Sequence, residues 1–280
     1  MEQSILTAFA WVCFLLYGAV FFAFFAFYPL YRYNTPQDNA RQLCPPMTMR
    51  DLIGLGIGYA YPVALIGLAE AVRRWKGYPQ DFTRKLIHIG AGMWVFGILA
   101  LFDTWYIGLL PFATFIVLNA IFYRYRVFAA MDAPESTPGT IYFALSITLL
   151  FLAFWRPDSP LDRGYVAVAG TMAMTWGDAL AAIIGQRWGQ HRYTIAGNTR
   201  SWEGSGVMLL AGFVSILLTL LLVPGSSLSP EASALSLGTC LVAALLGGIT
   251  ATLVESVSPR GTDNLSVPVL TALVVFGSTM

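Results

Sequence analysis

Residues 177–204 read GDALAAIIGQRWGQHRYTIAGNTRSWEG. The stretch begins inside one apolar run, crosses a polar segment and stops where the next apolar run starts, so it marks two successive helices joined by a loop. Asp178 sits in apolar surroundings. Ala182, Gly185 and Gly189 follow it at i+4, i+7 and i+11, and a helix places all four on one narrow face. Arg187, His191, Arg192 and Arg200 come next, then Glu203. An acid suited to a divalent cation beside a Gly-rich basic loop is what a nucleoside triphosphate requires. A small-residue packing face accounts for Gly185 and Gly189 as well. It leaves Asp178 unexplained, because a carboxylate inside a membrane segment must meet a cation, a metal or water.

The rest of the chain is as apolar as this stretch. Of 280 residues, 57% are hydrophobic and 11% charged, and the mean hydropathy is +0.66. A soluble domain carries about 25% charged residues. The composition therefore predicts an all-α, polytopic protein of the lipid bilayer, with residues 1–280 forming one integral membrane domain. A net charge of +1 creates no field for nucleic acid and excludes it as a partner. Cys13, Cys44 and Cys240 lie too far apart in sequence to suggest a zinc site or a disulfide framework. Residues 1–4 contain no Lys or Arg, and the apolar run at 5–30 is too long for the core of a signal peptide, so it reads as the first membrane helix.

A helix needs roughly 20 apolar residues to cross a bilayer. Runs at 5–30, 51–72, 86–102, 104–123, 139–155, 164–186, 205–223, 236–257 and 265–280 predict about nine such helices, the fifth and ninth being short. The polar step at Asp103 and Thr104 makes the third and fourth a tight hairpin or one broken pair. With this count, loops 73–85, 124–138, 187–204 and 258–264 share a side and hold 11 Lys and Arg, against five on the opposite loops. The basic excess predicts that the first set and the N-terminus are cytoplasmic. The polar clusters fall on that same face. A transporter would hold them near the midplane, open to both sides.

Each cluster has a plain and a functional reading. Arg84, Lys85 and His88 open the third span, either as its basic flank or as a phosphate clamp at a helix start; Arg84 and His88 share a face, with Gly92 a turn deeper. Thr140, after Gly139, either caps a Pro-Gly turn or offers its hydroxyl and nearby amides to a phosphate. Glu203 is an acid in the first turn of the seventh span or a metal ligand. Glu255 closes the eighth span on a small-residue face with Gly247 and Ala251. Asp263 and Asn264 then cap the last helix or supply a second metal or nucleotide contact.

Four segments together resemble a known family: TRKLIHIGAGMWVF, ESTPGTIYF, the 177–204 stretch and LVESVSPRGTDNLSVPVL. They look like the signatures of the CTP-dependent polyprenol kinases, which include phytol kinase and dolichol kinase and are related to phosphatidate cytidylyltransferase. The resemblance covers residues 81–280, as a kinase-like catalytic core; residues 1–80 carry none. Arg84, Lys85 and His88 match the family's Arg-Lys-x-x-His. Asp178, Gly185 and Gly189 match its Gly-Asp and Gly-rich positions, and Ser201, Glu203 and Gly204 match its Ser-x-Glu-Gly. Glu255, Asp263, Asn264 and Pro268 match its closing Glu and Asp-Asn-x-x-x-Pro. Where the family has lysines before Ser-x-Glu-Gly, this chain has Asn198, Thr199 and Arg200.

The resemblance implies a kinase that transfers the γ-phosphoryl of CTP, or of UTP, to the hydroxyl of an isoprenoid alcohol, phytol or a similar short prenyl alcohol. It implies Mg²⁺ on Asp178, with Glu203 or Asp263 as partner and Glu255 as a further candidate. Arg84, Lys85, Thr140, Gly185, Gly189, Arg192, Arg200, Ser201 and Asn264 are then the expected nucleotide contacts. Asp178, Lys85 and His88 are the expected catalytic groups, the proton acceptor being His88 or an acid near it. The expected setting is a bacterial-type cell membrane with the site on the cytoplasmic face. A cytidylyltransferase acting on a phospholipid, and a transporter, are the alternatives.

Overall fold

The computed structural model describes residues 47–125, 138–195, 197–259 and 261–280, and Pro46–Met280 pack as one compact unit. The helices are α1 (Met49–Lys76), α2 (Gln80–Leu101), the one-turn α3 (Trp105–Gly108), α4 (Leu110–Tyr125), α5 (Gly139–Phe154), α6 (Gly164–Met172), α7 (Ala179–Trp188), α8 (Trp202–Leu222), α9 (Leu237–Val257) and α10 (Asp263–Thr279). A π-helical segment, Ala173–Asp178, joins α6 to α7, so Gly164–Trp188 runs as one helix.

Six helices among the described residues are long and apolar enough to cross a membrane: Met49–Lys76, Phe82–Leu101, Trp105–Tyr125, Gly164–Trp188, Trp202–Leu222 and Leu237–Val257. Gly139–Phe154 and Asp263–Thr279 are apolar but shorter, as their runs predicted. The expected span at 5–30 lies outside the described residues. At 28 residues α1 is about 42 Å long, more than the roughly 30 Å of a hydrocarbon core. Its last turn carries Arg73, Arg74 and Lys76, and Gly77, at a φ of 66°, ends it with its N–H on the Arg73 carbonyl.

One small element interrupts an otherwise helical chain. Between α7 and α8 the chain forms an antiparallel hairpin, β1 (Arg192–Ile195) and β2 (Asn198–Ser201), with Arg192 opposite Ser201 and Ile195 opposite Asn198. Tyr193, Thr194, Ile195 and Thr199 favour extended backbone. Gly197, at a φ of 79°, takes the left-handed conformation that a tight hairpin turn requires.

The helix Gly164–Trp188 is the centre of the bundle. All nine residues of α6 are buried, and α6 packs on α2, α5, α8 and α10. The π segment continues it and packs on α2, α8, α9 and α10. Lipid tails are as apolar as leucine, so helices in a bilayer associate by close fit rather than by hydrophobic burial. Ala167, Ala169 and Gly170 on α6, and Ala243, Ala244, Gly247, Gly248 and Ala251 on α9, are small enough to allow it.

Two buried carboxylates pin the end of the bundle where α1 and α6 begin. Asp51 accepts hydrogen bonds from the Asp103 amide at 2.9 Å, the Thr104 amide at 3.1 Å and the Thr104 hydroxyl at 2.8 Å, which fixes the tight turn between α2 and α3. Asp162 accepts from the Arg156 amide at 2.9 Å, the Gly164 amide at 3.1 Å and the Ser229 hydroxyl at 2.5 Å. With their acceptor oxygens used on backbone amides and hydroxyls of these turns, the two acids hold the turns together.

Candidate active site

The opposite end of the bundle is built differently. Lys85 on α2, Asp178 at the end of the π segment, Arg200 on β2, Glu255 near the end of α9 and Asp263 at the start of α10 converge there. Lys85 Nζ lies 2.5 Å from Asp178 Oδ2. Arg200 Nη1 lies 3.0 Å from Glu255 Oε1, and Nη2 lies 3.4 Å from Asp263 Oδ2 and 3.5 Å from the Glu255 carbonyl. Asp178, Glu255 and Asp263 are all buried, and Asp178 and Asp263 lie close enough to Glu255 for their charges to act on it. Buried carboxylates are tolerated when paired, and two cations pair three carboxylates here. The excess negative charge suits a site that also receives a divalent ion.

The chain folds this way because the π turn is given room. A Cβ on Gly92 would stand 2.0 Å from Thr175 Oγ1, so α2 touches the π segment only because position 92 has no side chain. Lys85, His88 and Gly92 therefore form the face that meets it, at i, i+3 and i+7. This differs from the expected pairing of Arg84 with His88. Arg84 is exposed, although its charge reaches the His88 ring. His88 is half-buried, its Nε2 3.5 Å from the Met174 carbonyl and 3.9 Å from Asp178 Oδ2. Its ring lies 4.5 Å from that of Phe143, tilted by 37°.

The other expected residues divide into two groups. Gly185 lies in α7, while Gly189 leaves the helix in an extended conformation, so the four-residue face predicted from Asp178 ends at Gly185. A Cβ on Gly189 would stand 2.2 Å from the Gly185 carbonyl and 2.6 Å from Ser201 Oγ. These two glycines let the hairpin close onto α7. Ser201 caps α8, its hydroxyl accepting from the Gly204 amide at 3.1 Å. Glu203 lies in the first turn of α8 and holds His191, with Oε1 2.6 Å from Nδ1. Arg192 is exposed at the start of β1, and Thr140 is exposed in the first turn of α5, its carbonyl 3.4 Å from Asn119 Nδ2. Asn264 Nδ2 lies 3.1 Å from Asp263 Oδ1, beside the charged cluster.

Three contributors have no clear sequence signal. Asn198 Nδ2 donates to the Ser258 carbonyl at 2.8 Å and ties the hairpin to the turn between α9 and α10. The Met174 carbonyl reaches His88 because of π geometry, which leaves no mark on an apolar pattern. Phe143 reads as one more aromatic residue of a span.

Among the described residues, no group of three or more His, Cys, Asp and Glu side chains is arranged to hold one ion. Mg²⁺ is bound through one or two carboxylates plus phosphate oxygens, not by an all-protein cage. Asp178, Glu255 and Asp263 supply donors of that kind.

The chain is 32% identical over 235 residues to a phytol kinase of Synechocystis sp., covering 84% of this chain and 95% of that protein. It is 26% identical over 239 residues to a probable chloroplastic phytol kinase 2 of Glycine max, covering 83% of this chain and 77% of that protein. It is 25% identical over 244 residues to a chloroplastic farnesol kinase of Arabidopsis thaliana, covering 81% and 75% respectively. No family model and no solved structure matches the chain.

Proposed function

Because this chain belongs to the polyprenol/phytol kinase family, we propose that it transfers the γ-phosphoryl group of CTP, or of UTP, to the hydroxyl of a prenyl alcohol dissolved in the bilayer. The alcohol oxygen bonds to the γ-phosphorus as the bond from that phosphorus to its bridging oxygen breaks, and the nucleoside diphosphate leaves. One observation carries the reading. Two cations and three carboxylates from separated segments meet at one end of an apolar bundle, where a tail can lie in lipid while a hydroxyl meets a triphosphate.

Phosphoryl transfer asks a protein mainly for positioning and for charge placed against the phosphate oxygens. Lys85 and Arg200 supply that charge at the centre of the cluster, with Arg84 and Arg192 further out. Arg200 Nε is buried and has no hydrogen-bond partner among the described residues, while its two Nη atoms hold Glu255 and Asp263. Asp178 with Asp263 would hold Mg²⁺, which would supply positive charge against the phosphate oxygens. Ser201, Gly185, Gly189 and the Glu203–His191 pair keep the hairpin that carries Arg200 in place.

The test is transfer of label. Purified protein in detergent, given γ-labelled CTP, UTP or ATP with phytol, farnesol or longer polyprenols, is expected to yield a labelled prenyl monophosphate and an unlabelled nucleoside diphosphate. Absence of label in every alcohol would overturn the proposal. Release of pyrophosphate would mark a cytidylyltransferase.

A further inference from the structure

We propose that the tail of the alcohol lies along one strip of α2, from His88 past Ala91 to Trp94, and that the Trp94 ring closes this strip and selects among chain lengths. The proposal rests on the kinase reading above and adds the tail site and the residue that limits it.

Two faces of α2 are covered by neighbouring helices. A Cβ on Gly90 would stand 2.6 Å from Leu65 Cδ1 of α1, and one on Gly92 would run into Thr175 of the π segment. Ala91 lies between these contacts, on a further face that it shares with His88 and Trp94, three residues to either side. That face looks toward α4 and α5. His88 meets Phe143 of α5, with ring centroids 4.5 Å apart. Trp94 meets α4, since Trp94 Cζ2 and Pro111 Cγ lie 3.4 Å and 3.3 Å from the Cβ position of Gly58. Between these two bridges the helices stand apart. α2 packs on α1, α6, α7 and the π segment, and α4 packs on α5, but among the described residues neither α4 nor α5 packs closely on α2. Ala91, with a single methyl group, is only half-buried there.

The strip starts at the charged cluster. His88 Nε2 lies 3.9 Å from Asp178 Oδ2, so a hydroxyl held beside Asp178 and Lys85 has its carbon chain at the mouth of the strip. Ala91, Phe143 and Pro111 are apolar, and the space they border suits a branched hydrocarbon. Trp94 comes six residues after His88, about 9 Å further along the helix. Its ring is fixed there. It stacks on Tyr61, with centroids 5.0 Å apart and 24° between the planes, and the Tyr61 hydroxyl donates to the Gly90 carbonyl at 2.8 Å. Trp94 Nε1 is buried without a hydrogen-bond partner, whereas a buried indole N–H usually has one. The ring therefore serves by its bulk. A tail longer than the strip cannot run straight on past it and must turn out into lipid, which disfavours long alcohols against short ones.

Label transfer to geraniol, farnesol and geranylgeraniol, each one isoprene unit longer than the last, tests the strip. Trp94→Ala removes the stop. The ratio of its kcat/KM for geranylgeraniol to that for geraniol should rise about tenfold over the native ratio, the low end of what pocket contact with a methylene is worth. Both values come from one preparation, so any loss of folded enzyme cancels. Trp94→Phe keeps a ring and should keep the native ratio. Ala91→Leu fills the strip midway and should raise the farnesol KM about tenfold while the nucleotide KM stays native. A native ratio in Trp94→Ala would overturn Trp94 as the stop. A native farnesol KM in Ala91→Leu, or a nucleotide KM raised as much, would overturn the strip. If Trp94→Ala does not fold, Trp94→Leu takes the same measurement. A native enzyme that phosphorylates no prenyl alcohol would instead remove the kinase reading itself.

Discussion

Asp178 neutralises Lys85 at 2.5 Å and, on the proposed reading, gives an oxygen to the metal of the nucleotide. Asp178→Asn keeps shape and polarity but removes the charge, so both tasks fail together. Turnover should fall at least about a hundredfold, or roughly 2.7 kcal/mol on the barrier. The fold should also weaken, because Lys85 is left charged without its partner. Adding Lys85→Met should raise the melting temperature above that of Asp178→Asn alone while leaving turnover low, which divides the structural part from the catalytic one. An Asp178→Asn enzyme with most of its activity would pass the metal to Glu255 and Asp263. Arg200 presents a different case. Its two Nη atoms reach Glu255 Oε1, the Glu255 carbonyl and Asp263 Oδ2, a fork that a lysine cannot reproduce. Arg200→Lys should raise the nucleotide KM about tenfold, roughly 1.4 kcal/mol, and a KM near the native value would show that charge alone suffices.

At the scale of the element, the contact between α2 and the π segment decides how the site is held. A Cβ on Gly92 would meet Thr175 Oγ1 at 2.0 Å, Cγ2 at 2.6 Å and Cβ at 2.8 Å. Gly92→Ala should therefore cost about 1–3 kcal/mol by overpacking, read as a lower melting temperature, and should lower turnover by moving Lys85 and His88. Adding Thr175→Ala removes two of the three close atoms and should recover part of both losses. Gly56→Ala is the control, since nothing lies within 4 Å of its Cβ position. No recovery in the double variant would mean that the close approach is not what places the π turn. Elements differ in how far they could be read beforehand. The spans were legible because a bilayer demands a run of apolar residues whatever its neighbours are. Lys85, Asp178, Glu255 and Asp263 were legible because charges within or beside such runs need a reason. The hairpin was missed although Tyr193, Thr194, Ile195 and Gly197 signal it, because a polar stretch between two spans reads as loop. Asp51 was missed because its partners, Asp103 and Thr104, are more than 50 residues away. The pairing of Lys85 rather than Arg84 with Asp178 depends on the rotation of α2, which Gly92 sets through a contact that spacing alone does not reveal.

For the molecule as a whole, the question is which end faces which compartment. Side chains from three of the four basic loops meet at one end. Lys85 reaches Asp178, Arg200 reaches Glu255, and Asn198 reaches the Ser258 carbonyl. These contacts place segments 73–85, 187–204 and 258–264 together, as the alternation of spans requires. The other end is held by Asp51 and Asp162 through hydrogen bonds to turns and carries few cations. Positive charge is kept on the cytoplasmic side of a membrane protein, and nucleoside triphosphates are made there, so charge and substrate supply argue for the same placement. Single cysteines test it in a background where Cys13, Cys44 and Cys240 are replaced. Lys76, Gln190 and Glu231 are all exposed, so access to each depends on the side of the membrane rather than on packing. Cysteines at Lys76 and Gln190 should resist an impermeant thiol reagent in intact cells and react once the membrane is opened, whereas one at Glu231 should react in both. The reverse pattern would put the charged end on the outside, away from nucleotide, and the kinase reading would fall with it.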